Sequence, residues 1–551
     1  MVVDSTPCQE KILMDLVKTS LIIGIGVTLY YLLLQWPVEE VVDIKVSDET
    51  FSDNPINDSK PSLTETLAPM DVEAADDPFI GNVGKTFLID NKDLLLVVDA
   101  KSGRIIDSKM KTIKETMGSD RPLELFGKVG GNMYFGNSGF YTRSQGYLEP
   151  NFSKVIERGG SNNSKIFVLS GESNGLTHEK TITFQDKGYS VVVEDKLTSK
   201  LLSEVSVTPY VVIERNGAPS REEGMAMTYL GPVFSTTQDV YEKYDFDDLY
   251  DEAYRNKSKG GWVALIQHYF LSAWVPEQSG TYLYQGQWGE GSKRYSLGYT
   301  SPDVLLGPGD NTKTANTLYV GPKLPGQLSK IQENLDLTVD YGFLWWLGKP
   351  MYWVLEQGNK IFNNWGLAII FLTVVIKLVT WPLSAKAYQS MGKMRELQPQ
   401  MQALQERYGS DKQKMSQELM EFYKKEGVNP LGGCLPMLAQ MPFFLAFYWV
   451  LLETVELRHS PFFFWIQDLS AMDPYYVLPL LNGAGMYLSQ KMTPTPPNAD
   501  PMQAQMMKFF PLIFAVIFAW FPSGLVLYWL MNMTIQIFQQ WWYSRGASSK
   551  S

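Results

Sequence analysis

The sequence predicts a multi-domain membrane protein with an antiparallel β-sandwich domain and an α-helical transmembrane bundle. The bundle consists of one N-terminal anchor plus five core spans, and it includes a cytoplasmic helical hairpin. Three observations predict this fold class: an apolar run at Leu16–Trp36, short β-branched runs at 79–340, and long apolar runs after Tyr341. Charge is segregated too, because residues 38–78 hold twelve acidic residues and two lysines of a chain whose net charge is −11. This distribution excludes a single uniform globule and a dispersed basic nucleic-acid binder.

Residues 1–37 form the predicted N-terminal transmembrane signal anchor. A helix over Leu16–Trp36 is about 31 Å long, which is enough to cross the hydrocarbon core of a bilayer. The residues that follow Trp36 show no small-x-small cleavage pattern. We therefore expect an uncleaved anchor, and a cleaved signal peptide and a buried core helix are the alternatives.

Residues 38–78 follow as an acidic segment without hydrophobic periodicity, rich in Asp, Glu, Ser, Pro and Asn. Such a composition buries too little apolar surface to offset the entropy that a chain loses on ordering. We expect a disordered tether that acts as a solvated spacer, and an interaction tail is the other interpretation.

Residues 79–340 form the predicted β-sandwich domain. The β-branched and aromatic runs are Thr86–Asp90, Asp93–Asp99, Lys165–Leu169, Lys180–Phe184, Tyr189–Glu194 and Val205–Val212. Clusters of Gly, Asn, Asp and Ser separate these runs, and helical patterns do not intervene, so the strands should pair antiparallel in two packed sheets. One amphipathic helix is expected near Asp247–Arg255.

Residues 341–362 begin the helical part with two aromatic stretches, a pattern typical of an amphipathic helix that lies along the membrane interface. Residues 363–551 form the predicted five-span core. The expected spans are Asn364–Trp381, Leu431–Leu452, Tyr475–Gln490, Met507–Phe521 and Gly524–Trp542. Pro and Gly interrupt several of them, so neighbouring helices or a water-filled cavity must satisfy the freed backbone groups. The spans should therefore pack as one bundle.

Residues 384–427 predict a cytoplasmic hairpin of two amphipathic helices. Met391 and Met394 recur with Met401 and Leu404 at helical spacing. Methionine side chains adapt to different partners, which suits a binding surface. Two hairpin arms that pack against each other would explain the same pattern.

Basic residues in the connecting segments orient the bundle. The segment Leu383–Pro430 carries eight Lys or Arg residues, whereas Glu453–Pro474 carries only Arg458. The positive-inside rule places the first segment, the 491–508 linker and the C-terminus in the cytoplasm. Counting the spans backwards then puts the N-terminus in the cytoplasm and residues 79–340 on the outer side.

Lys377 is the most distinctive polar residue of the bundle, because it lies within the first apolar core span. An intramembrane charge costs roughly 2.5–3.5 kcal/mol on insertion scales and usually faces a bundle interior or a wet cavity. Alternatively, its flexible side chain reaches the cytoplasmic interface near Pro382. Thr373 lies one helical turn earlier on the same face. Gln440 and Asn532 lie in later spans, where polar side chains either line a groove or join helices.

The later spans offer no acidic partner for Lys377. An ion-coupled transporter would need paired ionisable groups at this depth, so this function class is disfavoured. The unpaired positive charge could instead attract an anionic group that enters from the cytoplasm. The sequence also contains no nucleophile elbow, P-loop, His-Glu-x-x-His or paired-carboxylate motif, and no metal-ligand spacing. We therefore expect neither an enzyme nor a cofactor or metal.

Two segments resemble the signature of the YidC/Oxa/Albino family of membrane protein insertases. They are Asn429–Tyr448, which reads NPLGGCLPMLAQMPFFLAFY, and Phe521–Trp529, which reads FPSGLVLYW. Asp336–Gly342 and Ser258–Gln267 resemble the Gram-negative form, which has a large periplasmic domain. The resemblance implies a multi-pass protein of the bacterial inner membrane with cytoplasmic termini and a supersandwich-like β domain in the periplasm.

The resemblance also implies site residues. Family members have a hydrophilic groove, open to the cytoplasm and to lipid, in which a positive residue attracts the polar region of a substrate. Lys377 matches that residue, which is usually Arg; Lys keeps the charge but lacks the planar two-pronged donor. Thr373, Tyr528 and Trp529 match positions that contact substrate helices, and Glu418 matches a hairpin position near the groove.

The implied function is an insertase and chaperone that inserts and helps fold inner-membrane proteins, alone or with the Sec translocon. The implied partners are nascent membrane proteins and the lipid bilayer, with the ribosome and the signal recognition particle pathway as further candidates, and no nucleic-acid readout. The alternative function is a membrane-anchored periplasmic carbohydrate-binding protein, because the supersandwich resembles mutarotase-type domains. That alternative leaves the five core spans and the hairpin without a role.

Overall fold

The structure, a computed structural model, describes residues 85–129, 132–217, 228–290, 292–408, 412–428, 435–492 and 501–548. The anchor predicted at 1–37 and the tether predicted at 38–78 lie outside these residues. So does the beginning of the family signature at Asn429–Cys434. The described residues form a β domain that is followed by a helical part.

Short strands make up the β domain. Strands β1 to β11 are Thr86–Asp90, Leu94–Asp99, Ile105–Lys114, Pro122–Glu124, Gly127–Val129, Asn132–Thr142, Gly146–Tyr147, Lys154–Gly159, Lys165–Ser173, Leu176–Phe184 and Ser190–Ser199. Strands β12 to β21 are Val205–Arg215, Gly231–Ser235, Glu242–Lys243, Tyr254–Lys259, Trp262–Ile266, Phe270–Pro276, Thr281–Gly289, Arg294–Thr300, Val304–Leu306 and Asn311–Pro322. All six runs that sequence analysis identified as strands are strands.

Two antiparallel sheets face each other in this domain. One has the order β1-β2-β3-β6-β12-β19-β18-β15, with β4, β5, β7 and β20 paired to its members, and the other has the order β14-β13-β16-β17-β21-β11-β10-β9-β8. Trp274 of β17 donates its indole N–H to the Val212 carbonyl of β12 at 3.2 Å, and Tyr134 of β6 hydrogen-bonds Ser272 of β17. The domain is therefore an antiparallel sandwich, as the alternating runs predict.

The helix expected near Asp247–Arg255 is shorter than predicted. Helix α1 covers Phe246–Asp251 and begins where the Asp245 N–H donates to the Asp248 carboxylate at 3.2 Å. Arg255 instead lies in β15, where it pairs with Gln285 of β18. The expectation was wrong at its C-terminal end because sheet pairing overrides the weak helical preference of these residues.

The remaining helices are α2 (Pro325–Ile331), α3 (Trp345–Phe362), α4 (Trp365–Glu396), α5 (Gln398–Tyr408), α6 (Lys412–Glu426), α7 (Leu435–Glu453), α8 (Val477–Met492), α9 (Pro501–Phe518) and α10 (Ser523–Ser548). Each expected core span overlaps one of α4 and α7 to α10. Among the described residues, Trp365–Glu396 is long and apolar enough to cross a membrane, and Ala439–Glu453 and Lys508–Phe518 are shorter apolar helices.

Helix α4 differs from the expected span, which ends at Trp381, because it continues through Pro382 to Glu396. Proline removes one backbone hydrogen bond from a helix, and the packing of the surrounding turns offsets that loss. Buried residues line both halves of the helix, with Ile376 before the proline and Tyr388 after it. The first part of the predicted hairpin at 384–427 is thus a continuation of α4.

Small residues allow the helices to approach closely. A Cβ atom on Gly358 of α3 would lie 3.1 Å from the Ala368 Cα atom of α4, and one on Gly483 of α8 would lie 2.9 Å from the Ala515 Cβ atom of α9. At the start of α10, a Cβ atom on Gly524 would lie 3.3 Å from both Ile369 of α4 and Leu451 of α7. Helices α4, α7 and α10 therefore meet at this end of the bundle.

The β domain is attached to the end of α7. Lys323 forms an ion pair with Glu453, and both side chains are at most 3% exposed. His268 hydrogen-bonds the Leu452 carbonyl at 2.7 Å, and Arg458 donates to the Lys114 carbonyl at 2.8 Å. These contacts fix the end of α7 that lies away from the hairpin.

Candidate functional site

Lys377 lies in the middle of α4, and only 2% of its surface is exposed. Its ammonium has no hydrogen-bond partner among the residues that the structure describes. A lysine that reached the membrane interface would expose its ammonium to water. The geometry favours the other interpretation, in which the charge lies within the bundle. The neighbouring Leu372 and Ile376 belong to the same apolar core as Phe447 of α7 and Tyr528 of α10.

Thr373 lies one turn before Lys377 and is also buried. Its hydroxyl donates to the Ile369 carbonyl at 2.7 Å, so its hydrogen is satisfied within the helix. The oxygen still has lone pairs that can accept a hydrogen bond. Thr373 thus keeps acceptor capacity one helical turn before Lys377.

Gln440 and Asn532 join α7 to α10. The Asn532 amide donates to Gln440 Oε1 at 3.1 Å, and both side chains are buried. Gln440 Nε2 has no partner within the described ranges. The pair therefore holds two helices together and leaves a buried amide donor unfilled.

Tyr528 and Trp529 contribute the aromatic part of the site. The Tyr528 ring packs on Phe447 with a centroid distance of 4.7 Å, and the Trp529 ring packs edge-to-face on Phe444 at 5.0 Å. Both residues are buried, and the indole N–H of Trp529 lacks a partner in the described part of the chain. Trp529 is therefore a second unfilled donor next to α7.

Three buried donors thus lie on three helices that pack against one another in every pairwise combination: Lys377 on α4, Gln440 on α7 and Trp529 on α10. Buried polar groups in folded proteins are nearly always paired, and each unpaired one costs about 1–3 kcal/mol. Unfilled buried donors of this kind can bind carboxylate, carbonyl or water oxygens. The arrangement is therefore chemically suited to a hydrogen-bond acceptor that comes from outside the fold.

The structure separates the predicted hairpin residues into two groups. Met391 and Met394 are buried on the continuation of α4. Met401 of α5 packs against Leu419 and Tyr423 of α6, so this methionine supports the hairpin itself. Glu418, one residue before Leu419, is half-buried.

Tyr388 and Gln539 are two further buried polar residues, and the sequence pattern did not indicate them. Both are buried, and the Tyr388 hydroxyl and Gln539 Oε1 have no partner among the described residues. The signal for Tyr388 is its spacing, because eleven residues are about three helical turns, which puts it on the same face of α4 as Lys377.

A different buried polar cluster lies between the two sheets of the β domain. The Asp195 carboxylate receives hydrogen bonds from His178 at 2.7 Å and Ser138 at 2.5 Å, and it pairs with the Lys180 ammonium at 3.0 Å. Burial alone would raise the pKa of Asp195, but the Lys180 charge and these hydrogen bonds outweigh it and hold the pKa below its usual range. Burial lowers the pKa of His178. Asp195 is fully buried, so this cluster serves the sandwich core.

Comparison with known proteins supports an assignment over the whole chain. The family described as 60Kd inner membrane protein matches residues 357–550, and the family described as YidC periplasmic domain matches residues 86–354. The membrane protein insertase YidC of Hahella chejuensis is 39% identical over 563 residues, which cover 97% of this chain and 98% of the relative. YidC of Haemophilus influenzae is 39% identical over 550 residues, which cover 98% and 99%.

A solved structure, described as an active YidC insertase with its first transmembrane domain resolved, is 18% identical and covers 83% of this chain and 92% of its own, with a TM-score of 0.40. The sequence relatives carry the assignment, because they match nearly the full length of both proteins. The chain therefore belongs to the YidC family of membrane protein insertases, with a periplasmic β domain and a membrane-spanning helical part.

Proposed function

We propose that this insertase docks the polar segment of a nascent membrane protein in a hydrophilic groove whose charge is Lys377. The groove is lined by Thr373, Gln440, Tyr528, Trp529 and Asn532, and it opens to the cytoplasm and to lipid. The observation that carries the proposal is the buried Lys377 ammonium, which has no partner among the described residues. An acidic group of the substrate would complete that pair.

The physical role of such a groove is to shorten the dry path through the membrane. A polar segment that crosses unaided must traverse a hydrocarbon layer about 30 Å thick. Unfilled donors within the bundle replace part of the water that the segment gives up. The following apolar span then partitions into lipid, which drives insertion without nucleotide.

The topology that fits this role has six spans: the anchor in 1–37 and helices α4, α7, α8, α9 and α10. Both termini and the hairpin at 384–427 are then cytoplasmic. Eight basic residues in Leu383–Pro430 support this orientation. The contact between the β domain and Glu453 supports it independently, because the end of α7 next to a periplasmic domain is expected on the same side of the membrane.

Further partners follow from the same orientation. A lipid-open groove can receive a span directly or from a neighbouring Sec translocon, so we include both routes. The basic cytoplasmic segments suit delivery by the ribosome and the signal recognition particle pathway. The hairpin residues Met391, Met394 and Glu418 lie on the side that would receive the substrate.

Substitution of Lys377 tests the proposal. In proteoliposomes with a single-span substrate that has an acidic N-terminal tail, the Lys377→Arg variant should support insertion. Lys377→Glu should abolish it, because two negative charges repel in a poorly solvated site. Lys386→Glu is the matched control, since this lysine is exposed on the same helix and its reversal should leave insertion within twofold of wild type. Full activity of Lys377→Glu would refute the docking role.

A further inference from the structure

The connection between α7 and α8 exposes aromatic side chains at the end of α7 that contacts the β domain. Residues 461–467 of this connection, the aromatic tip, read PFFFWIQ and contain no charged residue. Phe463 is 47% exposed and Phe464 is 87% exposed. Single exposed apolar residues are common on folded proteins, but adjacent large ones form a patch of the kind that marks an interaction site. The aromatic tip is therefore a candidate interaction surface.

The residues on either side of the exposed pair hold the aromatic tip in place. Phe462 packs against the first turn of α4, where a Cβ atom on Gly366 would clash with the Phe462 ring. Trp465 donates its indole N–H to the buried Asp473 carboxylate at 2.9 Å. The Phe462 N–H donates to the Ile466 carbonyl at 3.0 Å, which closes the turn. The exposed pair thus projects from a turn whose flanking residues are fixed to the fold.

The backbone at Phe464 supports the outward position of its ring. Phe464 has a φ of 57°, which lies in the left-handed region. A bulky residue rarely adopts this conformation, because its Cβ atom crowds the following carbonyl oxygen. The Gln467 side-chain amide donates to the Phe464 carbonyl at 3.0 Å and stabilises the conformation. Strained backbone of this kind persists where the surroundings fix it, and it is concentrated at functional sites.

The position of the aromatic tip indicates lipid as its partner. The tip packs beside the first turn of α4, a helix long and apolar enough to cross a membrane. Ile361 and Phe362, at the end of the predicted interfacial helix α3, are exposed next to that turn. Other exposed residues at the same end of the bundle have the ring types that are enriched at membrane–water interfaces: Tyr475, Tyr476 and Trp520. A protein partner would need a rim of polar contacts, which the uncharged tip offers less readily.

We propose that the aromatic tip inserts the Phe463 and Phe464 rings into the periplasmic leaflet of the membrane. The rings lie about 5–10 Å into the boundary between headgroups and acyl chains, the depth at which interfacial segments bury their apolar faces. The inserted tip fixes the height of the connection between α7 and α8, beside the attachment of the β domain at Glu453. This surface is separate from the Lys377 groove, and the inference does not depend on substrate docking there.

The accessibility of a nitroxide spin label tests the insertion. The label is attached to Phe464→Cys in the full-length chain, without Cys8 and Cys434, in vesicles of phosphatidylethanolamine and phosphatidylglycerol. Leu202→Cys is the matched control, because Leu202 is 97% exposed and follows the end of β11 that pairs with Asn311, at the opposite end of β21 from Lys323. Oxygen concentrates in the acyl chains, whereas a nickel chelate stays in water. The ratio of oxygen to nickel collisions should be about tenfold higher at position 464 than at position 202.

Two results would overturn the proposal. Equal ratios at the two positions would show that the tip faces water. Protection of the label at position 464 from both reagents would show that protein, such as a second copy of the chain, covers the tip instead of lipid.

A charge placed in the tip tests whether the two rings insert together. With the label on Phe463→Cys, the further change Phe464→Asp should lower the collision ratio about threefold, because a carboxylate is poorly tolerated among acyl chains. Leu202→Asp in the same labelled protein is the control and should leave the ratio unchanged. The thermal midpoint in detergent should be the same for both, since both substituted side chains are exposed. An unchanged ratio in the Phe464→Asp protein would overturn the insertion.

Discussion

Several buried polar side chains in the bundle have no hydrogen-bond partner within the part of the chain that the structure describes. The Thr373 hydroxyl and the Asn532 amide donate hydrogen bonds within the protein. The donor groups of Lys377, Gln440 and Trp529 have no partner among the described residues. A core selected only for stability would replace such groups with apolar side chains of similar size. These are the groups that the proposed docking of a substrate would use.

The amide pair gives a prediction at this scale. Replacing Gln440 and Asn532 together by leucine removes both amides, including the unfilled Gln440 donor, so the thermal midpoint in detergent should stay the same or rise. Insertion should nevertheless fall, because the groove loses polar groups. Asn532→Leu alone should destabilise the bundle by about 1–3 kcal/mol, since Gln440 is then left wholly unpaired. Normal insertion by the double variant would show that these two amides do not take part in substrate binding.

Residue-scale predictability depends on periodicity. Lys377 could be identified because one charge interrupts an apolar run, and Tyr388 could have been found by extending its helix face beyond Pro382. The Asp195 cluster has a comparable signal, because His178, Lys180 and Asp195 occupy alternate, inward-facing positions of β10 and β11. The sequence could not show that β6 brings Ser138 to these three residues. Alternation defines the two faces of a strand but does not tell which strands pack against it.

Elements are held together by a few buried contacts, and the ion pair between Lys323 and Glu453 is the clearest. Lys323→Met should destabilise the full-length protein by about 3–5 kcal/mol, because Glu453 would remain buried without its counter-charge. Lys92→Met breaks an ion pair with Asp186 whose side chains are 59% and 36% exposed, so it should cost less than about 1 kcal/mol. Chemical unfolding followed at α7 measures both, and equal losses would contradict a structural role for the buried pair.

The sandwich core should lose stability as the pH falls. Burial lowers the pKa of His178 in the folded state. Below about pH 6.5 the unfolded chain therefore binds more protons than the folded chain does, and this difference favours unfolding. The Asp195 contribution is lost at still lower pH, because its folded-state pKa is also depressed. Hydrogen exchange of the β10 and β11 amides should show a slope of up to about 1.4 kcal/mol per pH unit below pH 6.5.

The matched variant for this pH dependence is His178→Gln, which keeps a donor toward Asp195 but cannot titrate. Its slope between about pH 6.5 and 4.5 should be shallower than that of wild type. Burial also lowers the pKa of His268 to about 4, so local exchange at β10 and β11 separates His178 from that second histidine. Identical local slopes in the two proteins would show that His178 is not the titrating group.

At the element scale, local signals located six of the described strands and the five core helices, but not the ends of these elements. Each of the six β-branched runs lies in a strand of the structure, and each predicted core span overlaps a helix. The extension of α4 to Glu396 could not be predicted, because a proline is read as a helix boundary unless tertiary packing is known. The pairing order of the sheets depends on long-range contacts, which one sequence does not reveal.

For the whole molecule, charge and fold both distinguish the helical part from the segments that precede it. Residues 38–78 account for most of the net negative charge, whereas the segment from Tyr341 is net positive. The buried ion pair between Lys323 and Glu453 joins the periplasmic domain to the end of α7. The membrane part contains Lys377, Gln440 and Trp529, whose buried donors have no partner among the described residues. This division predicts that the selectivity of insertion depends on the bundle.

The most direct test of the central claim is a charge exchange between insertase and substrate. Insertion is measured for wild type and Lys377→Glu, each with a single-span substrate whose tail carries either one aspartate or one lysine at the same position. If Lys377 docks the tail, wild type inserts the aspartate substrate better than the lysine substrate, and Lys377→Glu inserts the lysine substrate but fails with the aspartate substrate. Equal insertion of both substrates by both proteins would contradict a docking role for Lys377.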